Sequence, residues 1–204
     1  MLIIGAGGHA SEVLDELFKL QMSSDLFFYD DLTNNEYFQY DYKIFHSIKQ
    51  VQLFFPNEFT FCLGIGFPSL RKYFADRFSN IGGVLQGVIS RSSKIGSFNV
   101  NINQGVDIMS DATISSNVSI GKGCLINRSV LIHHDCNIGE FCEIAPGAII
   151  LGNVKIGDLT LIGAGAIVLP NIKIGKNCTI AAGAVVTKNV EDNTIVKGVP
   201  ARII

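Results

Sequence analysis

The chain has 204 residues, with 16 Lys and Arg against 18 Asp and Glu, a formal net charge of −2. That balance, without a basic run, excludes nucleic acid and anionic membrane as main partners. Mean hydropathy is +0.34, yet no apolar stretch reaches transmembrane length and the N-terminus carries no charged n-region, so no membrane segment is expected.

The first element in chain order is the apolar run Leu2-Ile3-Ile4, followed by Gly5-Ala6-Gly7-Gly8-His9-Ala10. Val13, Leu14, Leu17, Phe18 and Leu20 then recur at helical spacing. A second apolar run, Leu26-Phe27-Phe28-Tyr29, ends in Asp30-Asp31, and a third, Phe59-Thr60-Phe61-Cys62-Leu63, ends in Gly64-Ile65-Gly66. Ser69 is expected to open a helix through Leu70, Tyr73, Phe74 and Phe78. The alternation predicts a parallel α/β sheet of three or four strands, about half a dinucleotide fold, with residues 32–58 assigned only loosely. The glycines fit G-x-G-x-x-A, a turn that lets phosphate approach the N–H groups at a helix N-terminus. An acid about 20 residues on, Asp30 or Asp31, can reach a ribose hydroxyl or a base edge. The competing reading is a tight strand-to-helix connection that needs glycine. The segment's small size favours a mononucleotide or nucleotide-sugar over a dinucleotide.

From Ile102 to Val186 every sixth residue is Ile or Val, for fifteen consecutive positions, and the fourth residue after each is small or aliphatic. A period of six fits neither helix nor hairpin and predicts a parallel β-helix, three six-residue sides per coil of about 18 residues. Ile89 and Ile95 continue the pattern upstream with a one-residue slip. There are five cysteines, and Cys124, Cys136, Cys142 and Cys178 fall on the inward small position. They read as buried thiols; Cys-x-x-Cys spacing is absent, so zinc or redox chemistry is disfavoured, an acyl-enzyme through Cys136 or Cys142 equally so, and a reducing cytoplasm is the expected compartment. Two of four histidines are adjacent, in Ile132-His133-His134-Asp135-Cys136-Asn137. With Ile132 and Cys136 inward, His134 and Asp135 project outward, either as a general base beside an orienting carboxylate or as polar corner residues.

Several stretches together resemble one group. They are Gly5-Ala6-Gly7-Gly8-His9-Ala10, Asp30-Asp31, Arg71-Lys72, His134-Asp135-Cys136-Asn137-Ile138-Gly139-Glu140-Phe141, Gly152-Asn153-Val154-Lys155-Ile156-Gly157 and Gly198-Val199-Pro200-Ala201. The chain resembles bacterial hexapeptide-repeat acyltransferases of the bacillosamine N-acetyltransferase and sialic acid O-acetyltransferase type. The resemblance implies an α/β Rossmann-like subdomain over residues 1–85 and an all-β left-handed parallel β-helix over 86–204. The left hand comes from the resemblance alone, since parallel crossovers are normally right-handed. It also implies a homotrimer with acetyl-CoA in the groove between adjacent β-helices, and no metal. It assigns His134 as general base, with Asp135 supporting it. The nucleotide of a UDP- or dTDP-linked amino sugar maps to Gly7, Gly8, His9, Asp30, Asp31 and Gly64. Acetyl-CoA contacts fall near Glu143, Gly152, Ala164 and Ala182. Relatives often carry Glu where Asp135 stands, and some carry His in place of Glu143. Three activities follow: N-acetylation of a nucleotide-linked amino sugar, O-acetylation of a sugar hydroxyl, or a non-catalytic nucleotide-sugar scaffold.

Overall fold

The computed structural model describes residues 1–204. The N-terminal part is a six-stranded sheet formed by β1 (Leu2–Ile4), β2 (Phe27–Tyr29), β3 (Tyr37–Phe38), β4 (Tyr42–Phe45), β5 (Phe59–Leu63) and β6 (Gly83–Leu85), in the order β3-β4-β2-β1-β5-β6. All neighbours are parallel except the β3–β4 hairpin. Helices α1 (Gly8–Lys19), α2 (Ile48–Phe54) and α3 (Pro68–Ser79) connect the strands. The sheet exceeds the expected three or four strands because residues 32–58 supply β3, β4 and α2. Phe45 there joins a core cluster with Leu2, Phe59 and Phe61. These added strands are two to four residues long, too short for alternation to show in sequence.

Helix α3 forms where expected, one residue earlier than Ser69. It starts at Pro68, pre-set for the first helical turn, and buries Arg71, Ala75 and Phe78. Leu70 and Tyr73 are 47% and 54% exposed. The apolar residues of this helix are thus split between buried and exposed positions, and an arginine is among the buried ones. Similarly, Phe18 of α1 is half exposed, resting edge-on against Tyr42, while Glu16 is buried.

The rest of the chain is a left-handed β-helix of two-residue strands in three parallel stacks, ended by Ile195–Lys197, which pairs antiparallel with Arg202–Ile203. The first face runs through Thr113–Ile114, Leu131–Ile132 and Ile149–Ile150; the second through Ser119–Ile120, Asn137–Ile138 and Lys155–Ile156; the third through Asp107–Ile108, Leu125–Ile126 and Glu143–Ile144. Partners lie 18 residues apart, as Ile114 with Ile132 and Ile150. Every large inward residue from Ile108 to Val186 is buried, as is every small one from Val106 to Val190. Each fully buried Ile or Val contributes roughly 1.5–3 kcal/mol of transfer free energy, and the columns are continuous because each coil covers the next. Ile89 and Ile95 pair in register with Ile108 and Ile114, 19 residues on, which accounts for the slip. They are 41% and 38% exposed, since no further coil covers them.

The sheet domain sits on the third face. Arg71 crosses the junction and spends all five guanidinium N–H groups there. Nε donates to Gly123 O (2.9 Å), Nη1 to Leu63 O (3.2 Å) and Ile65 O (2.7 Å), and Nη2 to Asp107 Oδ2 (2.6 Å) and Cys124 O (3.4 Å). The other Asp107 oxygen accepts from Val88 N at 2.8 Å, in the linker. Both side chains are essentially solvent-free. Removing one partner strands a buried charge, so Arg71→Leu is expected to cost about 3–5 kcal/mol, read as a lowered urea midpoint. A midpoint within experimental error of the parent contradicts the clamp.

Candidate active site

At the carboxyl ends of β1, β2 and β5 the chain departs to opposite sides of β1, leaving a crevice. A cavity of about 250 Å³ lies there, lined by Gly5, Gly7, Gly8, His9, Tyr29, Asp30, Asp31, Gly64, Ile65, Leu70 and Phe74 among others. All six residues assigned to nucleotide binding from sequence therefore meet in one place. Leu70, Phe74, Tyr29 and Ile65 were not anticipated; they form an apolar wall, and the exposure of Leu70 follows from its place on it.

The glycines differ in purpose. Gly5 has φ +100°, and a Cβ there would stand 2.9 Å from Gly64 O; a Cβ on Gly64 would stand 2.8 Å from that of Ala10. These two are demanded by backbone conformation and close packing. At Gly7 and Gly8 an added Cβ would meet nothing within 4 Å. The space they leave is the cavity, at the N-terminus of a helix with no side-chain cap and no acid in its first turn. The amide groups there are available to an anion.

The two acids also differ. Asp30 Oδ2 accepts from Ala6 N (2.9 Å), and Oδ1 from Leu32 N (2.9 Å) and Thr33 N (3.1 Å), so this carboxylate ties the glycine turn to the loop after β2. Asp31 Oδ2 accepts from Tyr29 OH (2.9 Å) and Arg77 Nη1 (3.3 Å), while Oδ1 carries no bond. Of the pair, Asp31 is the one with an acceptor to spare. His9 Nδ1 lies 3.2 Å from Glu12 Oε2, and its buried Nε2 has no partner. Burial lowers the His9 pKa, partly countered by Asp107, so the ring is neutral at pH 7.

His134 and Asp135 form a second cluster, on the corner between the first and second faces. His134 Nδ1 is 2.7 Å from Asp135 Oδ2, and Asp135 Oδ1 accepts from Asn117 Nδ2 at 3.0 Å. The hydrogen bonds from His134 and then Asn117 hold the Asp135 carboxyl below its usual range. An ionised carboxylate only accepts, so it takes Nδ1–H and leaves the Nε2 lone pair free as a base. Gly152, one coil on, lies against the ring: a Cβ there would be 2.8 Å from His134 Cε1 and 2.9 Å from Nε2. Ala164 and Ala182 stack on a different corner, between the third and first faces. Glu143 stands on the third face, where a Cβ on Gly66 would lie 3.3 Å from its Oε1, and burial raises its pKa against the pull of Arg71. Within one chain the four residues assigned to acetyl-CoA are thus not one cluster. The Cys136 thiol is pushed up by burial and that of Cys142 by its bond with Cys124, so neither is a ready nucleophile.

The cavity-lining residues apart, the clearest residue that the sequence alone did not single out is Asn117. Its signal was present: Asn99, Asn117, Asp135, Asn153 and Asn171 recur every 18 residues.

A family described as the PglD N-terminal domain matches residues 1–78, and bacterial transferase hexapeptide repeats match residues 135–168 and 153–188. No curated protein sequence matches the chain at a significant level. Among solved structures, perosamine N-acetyltransferase from Caulobacter crescentus, as a histidine-to-asparagine variant with CoA and GDP-perosamine, has TM-score 0.90 at 25% identity, covering 100% of this chain and 95% of that one. The acetyltransferase domain of PglB from Neisseria gonorrhoeae FA1090 with acetyl coenzyme A has TM-score 0.90 at 26% identity, over 100% and 98%. WeeI from Acinetobacter baumannii AYE has TM-score 0.90 at 28% identity, over 100% and 98%.

The two kinds of glycine separate experimentally. Gly8→Val is expected to melt with the parent yet lose nucleotide-sugar binding by calorimetry, whereas Gly5→Ala should lose roughly 1 kcal/mol or more of stability; unchanged binding by Gly8→Val would remove the cavity from consideration. Residues 1–78 thus match a PglD-type N-terminal domain and the β-helix matches bacterial transferase hexapeptide repeats, and over its whole length the chain is similar in structure to perosamine N-acetyltransferase and to the PglB acetyltransferase domain.

Proposed function

We propose that this chain, an acetyl-CoA-dependent sugar acetyltransferase, acetylates the amino group of a nucleotide-linked amino-deoxysugar with His134 as general base. The observation that carries the assignment of the base is the 2.7 Å contact between His134 Nδ1 and Asp135, which favours the proton on Nδ1 and a free lone pair on Nε2. The amine nitrogen attacks the thioester carbonyl, and Nε2 accepts the proton the nitrogen sheds. Collapse of the tetrahedral adduct expels CoA thiolate, which recovers that proton from the imidazolium. No covalent enzyme intermediate is needed. The relatives solved with CoA and GDP-perosamine after replacement of a histidine support this reading. In it, residues 1–85 hold the nucleotide through the cavity, and residues 86–204 supply the base and the acetyl-CoA contacts.

The site is shared between copies of the chain. The sheet domain covers the third face, burying its outward residues Asp107 and Leu125, while His134 occupies the opposite corner of the triangle. Each side is six residues of chain, at most about 20 Å, so a sugar held in the cavity faces away from its own His134. The outward column of the first face is aliphatic, at Leu131, Ile149, Ile167 and Val185, where the second carries Ser119, Asn137, Lys155 and Lys173. Such a stripe suits packing against another copy, and a homotrimer closes that contact by rotation. It also brings the two separate corners of the acetyl-CoA residues to one groove.

A panel of UDP-, dTDP- and GDP-linked amino sugars with acetyl-CoA, followed by thiol release, tests the reaction; release with sugar hydroxyls alone would make it an O-acetyltransferase, and binding without release a scaffold. His134→Ala should lower kcat by at least about 100-fold with acetyl-CoA affinity retained, and near-normal turnover would remove the base. Mixing His134→Ala chains with Gly8→Val chains, each inactive alone, should restore turnover; no recovery in mixed assemblies would place the site within one chain.

A further inference from the structure

The corner that carries His134 is also the spine of a side-chain ladder. Asn99, Asn117, Asp135, Asn153 and Asn171 all have left-handed backbone, with φ between 51° and 64°, a conformation asparagine and aspartate tolerate. The amides run in one direction: Asn99 Nδ2 donates to Asn117 Oδ1 at 3.0 Å, Asn117 Nδ2 to Asp135 Oδ1 at 3.0 Å, and Asn153 Nδ2 to Asn171 Oδ1 at 2.8 Å. Asp135 is the one rung without an amide, and there the direction is lost. The oxygen left over, Oδ2, turns to His134 Nδ1.

We infer that Asn117 is a positioning residue for the His134–Asp135 pair, and that the polarity of the ladder selects the histidine tautomer. This rests on the proposed role of His134 as base. The donor of Asn117 demands an acceptor at Oδ1 of residue 135. With aspartate at 135, the remaining atom is an acceptor for Nδ1–H, and Nε2 is the free base. With asparagine at 135, the oxygen would still be claimed by Asn117. The amide nitrogen would then face Nδ1 and drive the proton to Nε2, which can no longer accept one. Asn117 itself has its oxygen held by the Asn99 amide, so it cannot rotate to present an acceptor without breaking that bond. The chain of amides therefore fixes which end of residue 135 meets the ring.

The test is to swap the pair. Asp135→Asn alone should lower kcat by about 100-fold or more, as expected of a wrong tautomer. Asn117→Asp alone sets two carboxylates together and should lower kcat about tenfold, with KM for both substrates unchanged. The double variant Asn117→Asp/Asp135→Asn reverses the bond: the amide introduced at position 135 donates to the carboxylate introduced at position 117 and turns its own oxygen to Nδ1–H. It should recover at least about tenfold of the turnover lost in Asp135→Asn. Asn177→Asp, the same change in a ladder on another corner where Asn177 Nδ2 donates to Asn193 Oδ1 at 2.8 Å, should leave kcat unchanged. Imidazole nitrogen NMR gives a readout free of turnover: His134 protonated on Nδ1 in the parent and the double variant, on Nε2 in Asp135→Asn. A double variant no more active than Asp135→Asn and still carrying the Nε2 proton, or a folded Asn117→Asp with parental kcat, overturns the inference. Should Asn117→Asp fail to fold, Asn117→Gly keeps the left-handed backbone and removes the donor; parental kcat in it overturns the inference too. If the parent releases no thiol from any amino sugar, the reaction reading fails while the tautomer measurement still decides the role of Asn117.

Discussion

One buried guanidinium holds the two halves of this protein in a fixed relation. Arg71 reaches from α3 into the β-helix and bonds the carbonyls on either side of Gly64, the carbonyls of Gly123 and Cys124, and Asp107. Leucine at 71 could pack at the junction, but it could not bind the loop after β5 and the third face at once. Since Gly64 and Ile65 line the cavity, the same side chain that docks the domains also shapes the cavity floor. Charge burial of this kind is a weak source of stability, because desolvation offsets most of the attraction. Its use here is orientation: five donors with fixed directions specify one placement, where an apolar junction would permit several.

The β-helix makes a complementary contribution. Its core is repetitive and chemically inert, so each corner is a position where side chains can vary without disturbing the stack. On one corner that freedom is taken up by asparagines that bond from coil to coil. A single carboxylate in that series ends the run of amides and turns its second oxygen to the neighbouring histidine. Gly152 leaves room for the ring one coil on. The rigidity of the lattice suits the base proposed for this corner, since such a group must stay within about 0.5 Å of its working position.

How much of this was legible in the sequence depended on the length over which each signal repeats. Fifteen hexads left no doubt about the β-helix, and their inward positions are all buried from Ile108 onward. The glycine turn and Asp30-Asp31 located the cavity, because strand, turn and helix are contiguous there. The hairpin and α2 within residues 32–58 escaped notice, being two- to seven-residue elements whose apolar residues answer to tertiary neighbours rather than to a local period. For the same reason the inward face of α3 could not be read from local spacing, its most buried large side chain being Arg71.

By itself the sequence determined the six-residue period, the two-part organisation, the cavity-lining glycines and acids and the His134–Asp135 pair. Each of these is written in local spacing, where the period of a strand or turn dictates which residues share a side. Tertiary structure alone decided which acid keeps an unbonded oxygen, Asp31 and not Asp30, since that depends on the backbone amides of Ala6, Leu32 and Thr33 that fold around the latter. It alone assigned Arg71 to the junction and set the cavity and His134 on opposite sides of one chain. Those relations join residues dozens of positions apart, and no local period encodes which face of a three-sided coil a separate domain will cover.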